Sequence, residues 1–105
     1  MPAKAGTCFM KPSEALAAHR DAIRQVVESN RARNPRVFGS VLHGDDTDES
    51  DLDILIDPTD QTSLFDLGAI LHELKVLLGV PVHLATPNAL PAKSRDQILS
   101  EAQPI

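Results

Sequence analysis

A chain of 105 residues has room for one domain and a modest core, and an apolar share of 42% argues against wholesale disorder. Three Phe without Tyr or Trp make the core aliphatic and exclude the stacking platforms of single-strand nucleic-acid binders. The formal net charge of −5 has the wrong sign for gripping a long phosphate backbone, although a small anionic substrate remains open where a metal ion or local amides supply positive field. Cys8 is the only cysteine, which excludes an intrachain disulfide and a Cys-based zinc cage. No segment looks like a signal peptide or approaches membrane-spanning length, so a cytoplasmic location is expected.

Residues 1–12 carry Pro2, Gly6 and Pro12 without periodicity and read as a flexible leader, with the domain proper at 13–105. Ser13 offers a helix N-cap, and Leu16, Ile23, Val26 and Val27 at helical spacing carry a helix to about Asn30. Asn34-Pro35 is a break, after which Arg36-Val37-Phe38 reads as a short strand entering Gly39-Ser40. Eight of the fifteen acidic residues then fall between Asp45 and Asp60. Gly44 to Ser50 has loop composition, whereas Asp51, Asp53 and Leu55 alternate with Leu52, Ile54 and Ile56. That period of two predicts a strand with one apolar and one carboxylate-bearing face.

Ser63, with Asp66 three residues on, predicts a capped helix whose Leu64, Leu67, Leu71, Leu74 and Leu78 form a stripe, with Gly79 as its stop. Val80 to Ala85 reads as a third strand, with Pro81 at its start. Pro91 suits the first turn of a last helix bearing Ile98, Leu99 and Ala102. His19 and His72, within helices, read as surface or boundary residues. The order is α-β-β-α-β-α. The strand–helix–strand stretch from Asp51 to Ala85 should form a parallel, right-handed crossover, and a loop of about ten residues lets the first two strands pair antiparallel. The expected fold is α+β: a small mixed sheet with helices on the face away from the carboxylates.

Asp51 and Asp53 are the sharpest feature. Two residues apart on a strand, they leave one face ~7 Å apart at Cα, given a rise of ~3.3 Å per residue. Carboxylates leaning to ~4 Å at an effective dielectric near 20 repel by ~4 kcal/mol. A divalent cation offsets this, and Mg²⁺ suits two carboxylates with waters and phosphates completing its shell. Alone, Asp-x-Asp is more often a solvated acidic face, just as Gly39-Ser40 alone is an ordinary turn. Together, a glycine that admits backbone amides to a phosphate, a serine hydroxyl and a nearby metal make an anion site.

The combined string, Gly39-Ser40, ten residues, then Asp51-Leu52-Asp53, resembles the nucleotidyltransferase superfamily that includes DNA polymerase beta. Its smallest branch, the minimal nucleotidyltransferases, is closer still in Val37-Phe38-Gly39-Ser40-Val41 and Ser50-Asp51-Leu52-Asp53-Ile54-Leu55-Ile56. The likeness continues into the Leu-rich helix and Val82 to Leu90, over roughly residues 13–105. It implies a palm-like fold, with Asp51 and Asp53 as metal ligands and catalytic carboxylates for two Mg²⁺ ions ~3.5–4 Å apart. Gly39 and Ser40 would bind the phosphates of ATP, whose AMP passes to an acceptor as pyrophosphate leaves. In the minimal branch the implied partner is a small helical HEPN-domain ribonuclease toxin encoded nearby. AMP transfer to a tyrosine would silence that toxin, which makes this chain the antitoxin.

Two positions depart from the pattern. His43 stands where the family usually carries Arg, exchanging a permanent phosphate-binding fork for a group charged only in acid. His83 stands where a third carboxylate is usual. It could serve catalysis as a ligand or proton acceptor, but imidazole is a poor Mg²⁺ ligand, so weakened Mg²⁺-dependent catalysis is expected. Asp57, four residues beyond Asp53 on the same nominal face, is a remote substitute at the far end of the strand. Neutralisation of the toxin by binding alone, through the Leu stripe at 64–78, is the alternative function. Small-molecule adenylylation is a third, for which no drug-holding second domain is evident.

Overall fold

Alternation at residues 52–56 sends Leu52, Ile54 and Ile56 to one side of a strand, where all three are fully buried. The computed structural model, which describes residues 11–47 and 49–105, builds the fold around that strand. In chain order come α1 (Pro12–Ala18), α2 (Arg20–Ser29), β1 (Ala32–Phe38), α3 (Ser40–His43), β2 (Leu52–Pro58), α4 (Leu64–Leu78), β3 (Val82–Ala85), α5 (Ala92–Glu101) and β4 (Gln103–Pro104). A 3₁₀ turn, Pro87–Ala89, precedes α5. The sheet order is β3-β2-β1-β4, with β2–β3 parallel and both β1 pairings antiparallel. Among the described residues, no helix is long and apolar enough to cross a membrane.

The first helix begins two residues earlier than expected. Pro12 is buried at its first position and Lys11, not Ser13, is the N-cap, because proline has no N–H to lose there and its φ already suits a helix. Residues 1–10 of the expected leader lie outside the described residues. The helical pattern from 13 to 30 is divided at His19, whose φ of −130° leaves the helical region. Asn34-Pro35 does not end a helix but lies within β1 as an irregularity, the register shifting between Arg33 and Arg36. Asn34 takes φ 55°, a left-handed conformation its short polar side chain tolerates. Around α4, Ser63 and Asp66 exchange a reciprocal capping pair at 3.2 and 3.0 Å, and Gly79 closes the helix at φ 68°.

Two apolar clusters sandwich the sheet. Ala15 and Leu16 of α1, Ile23 and Val27 of α2, and Ile70, Leu74 and Leu78 of α4 pack with Leu52, Ile54 and Ile56 on one face. On the other, Phe38, Leu55, Ala85 and Leu90 are covered by Ile98, Leu99 and Ala102 of the C-terminal segment. Three helices thus lie where expected, away from the carboxylates. The fifth instead crosses to the carboxylate face, because Leu55 alternates onto that side and needs cover. The inner face of the Leu stripe is plain core, while Leu64, Phe65 and Val76 on α4 stay exposed.

The acidic loop is tied to the first helix. Asp46 Oδ2 accepts the Ser13 backbone N–H at 3.0 Å, satisfying an amide that α1 cannot. Partial burial opposes the Asp46 charge, but the Ser13 and local backbone donors, with Lys11, outweigh it and hold the carboxyl below its ordinary value. Stability from this group is therefore present above its unfolded pKa, near 3.8, and lost as pH falls through the lower folded value. Asp46→Ala should lower stability by about 1 kcal/mol at neutral pH, a gap that urea denaturation should show closing in strong acid.

Candidate active site

β1 delivers Gly39 to the mouth of the sheet at φ 74°, ψ −147°, a conformation only glycine adopts without strain. The site imposes a second demand. A Cβ at Gly39 would overlap Asp53 Oδ2 and lie 3.1 Å from Asp53 Cγ. Ser40 then opens the single turn of α3, with His43 N–H donating to the Gly39 carbonyl at 3.2 Å and Asp45 N–H to that of Ser40 at 2.9 Å. Gly44, at φ 74°, ends the turn in the left-handed region.

Register sets the rest. Phe38 and His83 are both Cα partners of Asp53, one on each neighbouring strand, so three side chains stand in a row on one face. His83 Nδ1 lies 3.0 Å from Asp53 Oδ1, with side-chain exposures of 59% and 21% respectively. The imidazole is thus open to a ligand while the carboxylate beneath it is largely covered. The Phe38 ring meets the imidazole edge-on, 6.4 Å between centroids. Asp51, exposed just before β2, adds its negative charge to this surface. Burial pushes the Asp53 carboxyl above its ordinary value; the His83 hydrogen bond and charge oppose this, and Asp51 reinforces it.

That balance leaves room for a cation. A part-buried carboxylate beside a second acid is short of positive charge, and two hard oxygen donors suit Mg²⁺. Among the described residues no three His, Cys, Asp or Glu side chains form a ready cage, so substrate phosphates and water would have to complete the shell. The structure therefore brings together Gly39, Asp53 and His83, with Ser40 and Asp51 adjoining them. His43 turns to the C-terminal helix instead, its Nε2 3.2 Å from Glu101 Oε1. Asp57 is engaged at the far end of β2 by Arg36 and by Asn34 Nδ2, the latter at 3.0 Å, and is no substitute third carboxylate. Sequence reasoning missed Phe38 and Glu101 as partners of the two histidines. Alternation along β1 could have found Phe38, whereas nothing local marks Glu101.

Residues 20–105 match the nucleotidyltransferase domain family, and the chain belongs to that family: it is a nucleotidyltransferase. Within the family it is a minimal nucleotidyltransferase, as the relatives indicate. The protein adenylyltransferase MntA of Thermococcus cleftensis is 33% identical over 86 residues, which is 82% of this chain and 84% of the relative. A relative in Methanocaldococcus jannaschii, assigned as a protein adenylyltransferase, is 36% identical over 66 residues, covering 63% of this chain and 71% of its own. A solved structure described as a minimal nucleotidyltransferase superposes with a TM-score of 0.80 at 35% identity, over 89% of this chain and 95% of that one. A chain from a toxin–antitoxin crystal structure with AMP-PNP shares the fold, with a TM-score of 0.67 at 19% identity over 80% and 69% of the two chains.

Two outcomes follow from this geometry. Gly39→Ala meets both an unfavourable φ and the Asp53 carboxylate, so denaturant unfolding should show a loss of about 1–3 kcal/mol. Asp53 has a folded pKa above its unfolded one, so its contribution is full below the unfolded value and is lost as pH rises through the folded value. Metal-free Asp53→Asn should therefore gain melting temperature relative to wild type as pH rises from acid to neutral. A constant difference across that range would contradict the assignment.

Proposed function

We propose that this chain is a protein adenylyltransferase that transfers AMP from ATP to a hydroxyl of a partner protein. Its most suitable partner is a small helical HEPN-domain ribonuclease, for which it acts as antitoxin. The observation that carries the reading is the Asp53 carboxylate set against Gly39, at the bend where a triphosphate would meet backbone amides. The names of the relatives, both protein adenylyltransferases, support the acceptor class, and the AMP-PNP complex of a chain with the same fold supports an adenine nucleotide.

In this reading Gly39 exposes backbone to the phosphates and the Ser40 hydroxyl adds a donor. Asp51 and Asp53 would hold Mg²⁺, which when bound neutralises the triphosphate and the charge that develops on the departing pyrophosphate. The acceptor hydroxyl oxygen forms a bond to the α-phosphorus while the bond to the β-bridging oxygen breaks. With Nδ1–H donated to Asp53 Oδ1, His83 leaves Nε2 as a proton acceptor, and the hydroxyl proton passes there. His43 turns to Glu101 and leaves the phosphates to Gly39 and Ser40, without the fork that an arginine at this position would supply. Catalysis is then mostly positioning and charge neutralisation.

Incubation with ATP, Mg²⁺ and the product of the neighbouring gene should add one or more AMP masses to that protein in intact-mass spectra. An unshifted spectrum under saturating nucleotide contradicts the reading. Replacing both Asp51 and Asp53 with Asn should slow transfer at least a hundredfold, on the scale of losing a preorganised charge-stabilising group. Transfer that survives the double substitution would show that the chemistry lies elsewhere.

A further inference from the structure

Resting on the reading of Asp51 and Asp53 as the metal-binding carboxylates, we propose that this chain seats one divalent ion with its nucleotide rather than two, and that His83 fills the place of the second. A pair of ions ~3.5–4 Å apart is held by carboxylates that share their oxygens between them. Here the two oxygens of Asp53 face different neighbours. Oδ2 lies toward Gly39 and the bend that would receive phosphates, whereas Oδ1 is engaged by His83 Nδ1 at 3.0 Å.

The engagement is built in by the fold. Parallel pairing makes His83 the in-register neighbour of Asp53, and the ring of Phe38, from the opposite strand, braces the imidazole edge-on. Each imidazole nitrogen offers one lone pair or one N–H, so His83 cannot span two ions as a carboxylate does, and nitrogen suits Mg²⁺ poorly. Among the described residues no third acid joins Asp51 and Asp53 in a metal-holding group. Asp57 is held by Arg36 and Asn34, and Glu101 is paired with His43. Among the described residues the carboxylate oxygens left for metal are the Gly39-facing side of Asp53 together with Asp51, which is a site for one ion.

Equilibrium dialysis against excess Mn²⁺ and a non-hydrolysable ATP analogue counts what each chain retains, independently of turnover. The expected composition is one Mn²⁺ and one nucleotide per chain for wild type. His83→Asn should keep that ratio, and His83→Asp should raise it to two Mn²⁺ per nucleotide. Two Mn²⁺ in the wild type, a metal-free His83→Asn, or a His83→Asp variant that still holds one, would each overturn the proposal. The underlying site reading has its own control: if Asp51→Asn/Asp53→Asn still retains Mn²⁺ with nucleotide, or the wild type retains neither, both readings fall together.

Discussion

The Asp53 carboxylate is the point on which the structure turns. It is part-buried, sits beside another acid, touches the glycine that ends one strand and hydrogen-bonds a histidine on the next. Burial and like charge both disfavour the anion there, and the imidazole offsets them in part. The fold therefore keeps an unfavourable charge at the mouth of its sheet, as sites that bind cations and anionic substrates do. Gly39 exists in this arrangement because its conformation and its closeness to Asp53 both exclude a side chain.

The apolar architecture supports that charge without covering it. Three helices bury the apolar residues of β2 on one face of the sheet. On the other face the C-terminal segment covers Leu55 and Ala85 but leaves Asp51 exposed and His83 more than half exposed. One strand thus carries both requirements. Its even residues from Leu52 to Ile56 anchor the core, and its odd residues set Asp53 at the open end and the covered Leu55 behind it, before Asp57 at the far end.

Much of this was legible in the chain itself. Period-two alternation at 52–56, the Ser63–Asp66 cap and the Gly79 stop each act locally, so they predicted β2 and α4 directly. Gly39-Ser40 and the paired acids could be read as a constellation because their spacing survives folding. Other features depend on tertiary neighbours. The break at His19 and the path of β1 through Asn34-Pro35 depend on backbone choices that apolar periodicity does not encode. β4 is two residues long and exists only because β1 has a free edge. The Asp46–Ser13 and His43–Glu101 contacts join residues far apart in sequence, and no local pattern announces such pairs. The row Phe38–Asp53–His83 is intermediate: each residue's face was readable, but their alignment required the register of both strand pairs.

The replacement of the usual third carboxylate by His83 is consistent with the same electrostatics. A third acid would add negative charge to a carboxylate that burial already disfavours, whereas an imidazole donates to it. Where the resemblance expects a third metal-binding oxygen, the structure sets a hydrogen-bonded carboxylate beside a half-exposed imidazole.

The claim beneath all of this is that Asp53, with Asp51, exists to seat a divalent ion under a nucleotide triphosphate. Calorimetric titration of a non-hydrolysable ATP analogue, with and without Mg²⁺, tests it most directly. The account predicts saturable one-to-one uptake that depends on Mg²⁺. Uptake of equal affinity in its absence, or none in either condition, would contradict it.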